Sequence, residues 1–204
     1  MEHIFTPGKT GATLLLLHGE GGDETDLTFI ANAIAPGAAA LSPRLGPLGD
    51  TPEEVVADAQ AFAHWVSHGV EHYQLDPKRV YAVGYADGAN LASAVMLLYP
   101  TLLAGAILLR PRRVLEPKPL PKLSGVPVLV AGGEGDKTMP PGESEQLARL
   151  LSHVGAEVDY AVAETGHDLS PSDFAMCKKW LAVQFAGSEE PRSSPPAGTL
   201  PSPA

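Results

Sequence analysis

The chain has 204 residues, 44% apolar and 19% charged, with a mean hydropathy of +0.01; that supplies one sizeable core and is too apolar for a disordered chain. Fourteen Lys and Arg against 24 Asp and Glu leave a net charge of −10, which argues against nucleic acid or an anionic membrane surface as the main partner, because phosphate binding depends on a basic face. The single cysteine, Cys177, excludes an intramolecular disulfide and any multi-cysteine metal site.

Residues 1–7 lack a basic stretch followed by a long apolar one, so no signal peptide is expected, and a cytoplasmic location is. No apolar run approaches the roughly 20 residues that span a bilayer, so membrane insertion is not expected. The first strand-like run is 13–17, and a Gly-rich loop follows it: His18, Gly19, Glu20, Gly21 and Gly22. Backbone N–H groups in such a loop stabilise an oxyanion, and the N–H of Glu20 is the expected donor here. A phosphate loop is the competing reading, but the segment has neither GxGxxG spacing nor a Lys-Ser/Thr ending. His18 is expected to hold the loop by hydrogen bonds from its ring.

A helical segment at 24–35 and a strand at 38–41 lead to a short connection, 44–53. The next helix, 52–73, has apolar residues at Val55, Ala59, Phe62, Ala63, Val66, Val70 and Tyr73, a period close to 3.6. His64, His68 and His72 recur on its other face at i, i+4 and i+8; a solvated row is the expectation and a metal site is not.

The informative segment is VYAVGYADGANL at 80–91: a strand, a Gly-flanked turn and a helix over 86–99. This is the framework of a nucleophile elbow, in which the residues two before and two after the apex must be small. Gly84 and Gly88 satisfy that spacing, the apex is Ala86 in place of serine, and the N–H of Asp87 is the second expected oxyanion donor. Taking Asp87 as nucleophile would put Tyr85 where a small residue is required, and Cys177 lies in the last helical segment.

A strand at 106–109 is followed by a Pro-rich, basic connection, 111–127, containing Arg112 and Arg113; it reads as a rigid solvated link, or as a lid or a contact for an anionic substrate. The strand at 126–130 places Asp136 in a loop past its carboxyl end. After a helix at 143–153, the strand at 158–162 does the same for His167. Elbow, Asp and His in that order are the arrangement in which Asp orients an imidazole and the imidazole takes the nucleophile's proton. A last helix, 172–185, precedes a Pro/Ser-rich stretch, 187–204, expected to be a disordered tail.

The rhythm of short strands and longer helices predicts an α/β fold, a mostly parallel sheet with helices on both faces, in one domain over 1–186. LLLHGEGGDETDL, LSPR, LDPKRVYAVGYADGANLA, LLRP, AGGEGDKTMPP and ETGHDLSPSD together resemble the small bacterial carboxylesterases of the phospholipase/carboxylesterase group, within the α/β-hydrolases. The resemblance implies a serine esterase of short carboxylic or lysophospholipid-like esters, with no cofactor and no metal. It assigns the acid to Asp136, the base to His167, the oxyanion donors to Glu20 and Asp87, and the nucleophile position to Ala86. The 44–53 connection is shorter than such enzymes would carry.

Without the serine, such a triad loses on the order of 10⁶ in kcat, so little turnover is expected. Two readings stay open: a disabled esterase, its serine exchanged for alanine by engineering or natural loss, and a non-catalytic pseudoenzyme that keeps the pocket for a small ester or ligand. Self-association through an edge strand is equally open.

Overall fold

A computed structural model describes residues 1–140 and 142–187. Among these residues seven strands form one sheet: β1 (His3–Thr6), β2 (Thr13–Leu17), β3 (Ala39–Pro43), β4 (Val80–Tyr85), β5 (Gly105–Leu109), β6 (Pro127–Gly133) and β7 (Glu157–Ala163). Their spatial order is β1-β3-β2-β4-β5-β6-β7, parallel throughout except for β1, which runs antiparallel to β3. Five α-helices among the described residues cover it: α1 (Thr28–Ile34), α2 (Pro52–His72), α3 (Asp87–Leu98), α4 (Glu143–His153) and α5 (Pro171–Gly187). This is the α/β-hydrolase architecture.

The central strands are buried on both faces, so alternate side chains feed two cores. Leu15 and Leu17 of β2, with Ala106 and Leu108 of β5, pack against α2, α3 and α4. Leu14 and Leu16, with Ile107 and Leu109, pack against α1 and α5 through Ile30, Ile34, Cys177, Trp180 and Leu181. Helix α2 starts sharply because Thr51 and Glu54 form a reciprocal capping box and Pro52 occupies the first turn.

Several elements differ from the sequence expectation. Strand β1 was not expected: HIFT is short and only half apolar, and it is held by pairing with β3 and by Phe5 stacked on Tyr73 at 3.9 Å. Helix α1 starts at Thr28 rather than 24, because Asp23 ties the N–H and hydroxyl of Thr25 into a turn and Glu24 is engaged by Arg44 at 2.6 and 2.9 Å. Strands β3 and β6 run on to Pro43 and Gly133 through pairing with their neighbours. Of the expected tail, 187–204, Gly187 is instead the last residue of α5, and 188–204 lie outside the described residues. His64, His68 and His72 are exposed on α2, and no group of three or more His, Cys, Asp or Glu among the described residues is placed to hold a metal. No helix among them is long and apolar enough to cross a membrane.

Candidate active site

The loops leaving the carboxyl ends of β2, β4, β5, β6 and β7 meet above the middle of the sheet. Between β4 and α3 the chain turns on a single residue, Ala86, at φ 49° and ψ −114°. A non-glycine residue in such a region costs about 1–3 kcal/mol and persists only where the surroundings impose it. Here the N–H of Ala86 donates to the Leu109 carbonyl at 2.9 Å, and its own carbonyl accepts from Asn90 N–H at 2.9 Å. A Cβ on Gly84 would lie 2.6 Å from the Ala89 backbone, and one on Gly88 would overlap the Leu17 carbonyl, so both flanking glycines are sterically required.

Asp136 follows β6 and His167 follows β7, and their side chains meet: Asp136 Oδ2 to His167 Nδ1 is 2.9 Å. The other carboxylate oxygen accepts the N–H groups of Thr138 (2.8 Å) and Met139 (3.0 Å). Burial pushes the Asp136 carboxyl up, but the bond from His167 and the two backbone donors more than offset it and hold the group below its ordinary value. A charged carboxylate only accepts, so Nδ1 carries the proton and Nε2 is left as the basic atom.

The residue that fixes the histidine loop is one sequence reasoning missed. Arg110, directly after β5, is fully buried at φ 52°. Its Nε donates to the Gly166 carbonyl at 2.8 Å, and its Nη2 donates to Thr165 Oγ1 and the Asp168 carbonyl, both at 3.1 Å. Asp173, at the start of α5 and also fully buried, holds the guanidinium through both oxygens at 2.9 and 3.0 Å. Burial raises the Asp173 carboxyl, and Arg110 together with the Ser170 hydroxyl and N–H outweighs it, leaving the group below its ordinary value. The backbone on both sides of His167 therefore hangs on one ion pair. Tyr85 adds a 3.3 Å hydrogen bond to the His167 carbonyl. The available signal was a lone arginine ending an apolar strand in LLRP; its partner 63 residues away was invisible to local reasoning.

On the other side of the elbow, the His18 ring links two loops. Nδ1 lies 2.7 Å from the Gly19 carbonyl, and Nε2 accepts the Leu45 N–H at 2.9 Å, so Nδ1 is the protonated nitrogen. Gly21 has φ 72°, and Gly22 N–H closes a turn onto the Gly19 carbonyl at 3.2 Å. A Cβ on Gly19 would stand 3.5 Å from the Ala86 methyl, so this loop lies directly against the elbow. The N–H groups of Glu20 and Asp87 donate to nothing among the described residues, and both residues line the cavity over Ala86.

That cavity, about 450 Å³, brings together Glu20, Ala86, Asp87, Arg112, Met139 and His167. A second hollow of about 290 Å³ shares the Gly19–Glu20 and Asp87 walls and is lined by apolar side chains of Leu45, Leu48, Phe62 and Leu91. The site has an acid–base pair, two unpaired N–H groups and an alanine at the strained apex between them. Cys177 is fully buried in the opposite core, its thiol pushed up to about 12 chiefly by burial, and does not reach this cavity.

No family model matches the chain. It is 31% identical over 194 residues to a Bacillus subtilis (strain 168) protein named "Putative hydrolase MhqD", spanning 88% of this chain and 97% of that protein. Among solved structures it superposes on a carboxylesterase from Bacillus cereus with a TM-score of 0.84 and 29% identity, over 90% of this chain and 94% of that one. It also superposes on a carboxylesterase from Mesorhizobium loti with a TM-score of 0.79 and 34% identity, over 86% and 90%.

Proposed function

The chain belongs to the MhqD family of α/β-hydrolases, and on that premise we propose that its cavity is a carboxylesterase-type site that binds small carboxylic esters and, with Ala86 at the apex, does not form an acyl-enzyme. The observation that carries this reading is the shared cavity: Ala86 in its strained turn, His167 with Asp136 bonded behind it, and Glu20 and Asp87 with their unpaired N–H groups; Ala86, His167, Glu20 and Asp87 all border one space. Supporting it, the solved relatives at 29% and 34% identity are carboxylesterases.

With a hydroxyl at the apex, the chemistry follows from the atoms present. Oγ attacks the ester carbonyl carbon while its proton passes to His167 Nε2; the two N–H groups donate to the oxyanion that forms; the C–O bond to the alcohol breaks as that proton moves to the leaving oxygen; water then repeats the sequence on the acyl-enzyme. With a methyl group there, the first bond cannot form. The site retains everything that recognises an ester and lacks the atom that attacks it.

The test is p-nitrophenyl acetate hydrolysis by the chain as it stands, by Ala86→Ser, and by Ala86→Ser/His167→Ala. Turnover confined to the single serine variant supports a disabled esterase. A serine variant silent across several acyl lengths would overturn the esterase reading and leave a ligand-binding protein that has moved away from hydrolytic geometry.

A further inference from the structure

The chain carries ten more acidic than basic side chains, and its arginines are correspondingly engaged. Among the described residues, Arg44 pairs with Glu24 and Glu2, Arg113 with Glu116 and Arg149 with Glu145; Arg110 pairs with Asp173, and Arg79 donates to the Thr10 carbonyl. The exception is Arg112, whose guanidinium has neither an ion pair nor a hydrogen bond there. It is half-buried and lines the cavity that contains Ala86 and His167. The lysines among the described residues have no ion pair either, but none of them lines this cavity; Arg112 is the unpaired cation at the wall of the candidate site, where a ligand can meet it.

Its backbone is fixed in advance. Arg110 N–H donates to the Ala131 carbonyl at 2.7 Å, the Pro111 carbonyl accepts from Ser144 Oγ at 2.8 Å, and Arg112 N–H donates to Asn90 Oδ1 at 2.8 Å. Three successive residues are thus anchored to three different elements, and the ordering cost of a ligand contact falls mainly on the side chain. Sheet order separates this arginine from the cavity's exposed carboxylates. Arg112 follows β5, on one side of the elbow strand β4, whereas Glu20 follows β2 and Asp50 follows β3, on the other. Asp136 is occupied by His167, and Asp87 accepts from the Asn90 side chain at 3.0 Å. The apolar hollow of Leu45, Leu48, Phe62 and Leu91 lies on the β2–β3 side.

We propose that Arg112 is the specificity-determining residue of this site and that it selects esters carrying a carboxylate, with the anion at Arg112 and the apolar part of the ligand in the Leu45–Leu48–Phe62–Leu91 hollow. The inference rests on the ester-binding reading above and names its substrate class: half-esters of small dicarboxylic acids, or esters of small hydroxy acids. A guanidinium receives a carboxylate through two parallel N–H donors, which distinguishes it from the neutral ester of the same shape.

The experiment uses the chain as it stands, which cannot turn the ligand over. Calorimetric titrations compare ethyl hydrogen succinate, with the carboxylate on the acyl side, and butanoyloxyacetate, with the carboxylate on the alcohol side, each against its own neutral methyl ester. One anionic probe is expected to bind about tenfold to a hundredfold more tightly than its methyl ester. Arg112→Gln is expected to abolish that preference, and Arg112→Lys to keep part of it. Which probe shows the preference tells the acyl side from the alcohol side. Equal binding of anionic and neutral forms, or a preference that survives Arg112→Gln, overturns the proposal. In the Ala86→Ser background the ratio of kcat/KM for anionic over neutral ester is expected to fall by the same factor on Arg112→Gln. A serine variant that hydrolyses both forms equally sinks the Arg112 assignment alone. A serine variant that hydrolyses neither sinks the esterase reading, and the titrations still decide on Arg112.

Discussion

The turn after β4 and the loop after β7 deliver Ala86 and His167 to one cavity by different physical means. The elbow is held by backbone packed on backbone: Gly84 against Ala89, Gly88 against the Leu17 carbonyl, and the Ala86 amide on Leu109. No side-chain polar group caps it. The histidine loop is held by one buried guanidinium that reaches Gly166, Thr165 and Asp168 while Asp173 neutralises it. Steric constraint keeps the elbow in its strained shape whether or not the apex residue has a function. An ion pair keeps the loop in place only while both charges survive.

The largest effect should come from completing the elbow. If steric packing has preserved its geometry, Ala86→Ser should raise esterase kcat by at least about 10³-fold, since a missing serine in such a triad costs on the order of 10⁶. Steady-state hydrolysis of a p-nitrophenyl ester measures it. On the loop side, Arg110→Met leaves Asp173 buried and unpaired, and breaking a buried pair costs about 3–5 kcal/mol. A fall in melting temperature on the order of 10 °C is expected, along with loss of the downfield NMR signal of the His167 Nδ1 proton. A melt that moves while that proton signal stays would show the clamp to be structural without positioning the histidine.

A smaller cost, about 1–3 kcal/mol, is expected for Gly88→Ala, whose added methyl overlaps the Leu17 carbonyl and forces the elbow apart; urea unfolding at neutral pH reads it. The ion pair also has a pH signature that the elbow lacks. The folded-state pKa of Asp173 lies below the ordinary 3.8, so its stabilisation is fully present above that value and is lost as pH falls through the folded value. The stability gap between the chain and Asp173→Asn is therefore expected to be constant near neutrality and to close below pH 3.8, whereas the gap for Gly88→Ala should not change with pH. The smallest effect is a gain: Ala86→Gly relieves the positive φ and should stabilise the fold by about 0.5–1 kcal/mol. No gain would mean that the turn is less strained than its angles indicate.

Much of the elbow was legible because its constraint is local. The glycines required at 84 and 88 lie within two residues of the apex, and the strand before and helix after declare themselves by periodicity. The loop glycines 19–22 and His18 were legible as a loop and a ring that holds it, although the ring's second contact, the Leu45 N–H, lies 27 residues away. Asp136 and His167 were found from their places past successive strands, but only the sheet brings their side chains to 2.9 Å. Arg110 was passed over because an arginine in a run of apolar residues has no local meaning until Asp173 is beside it. Strand β1 and the late start of α1 escaped for the same reason: both depend on partners far along the chain, Pro43 to Ala40 for the strand and Arg44 for Glu24.

The sequence by itself determined the order of strands and helices from β2 onward, their two-sided burial, the elbow and the absence of a hydroxyl at its apex, because period, glycine spacing and residue identity act within a few residues. The tertiary structure alone decided that the guanidinium of Arg110 holds the histidine loop, that Arg112 stands unpaired at the cavity wall, and that an apolar hollow lies on the opposite flank. Those facts depend on which strands become neighbours. A charged side chain acquires its partner, or is left without one, only when distant segments share the same few ångströms.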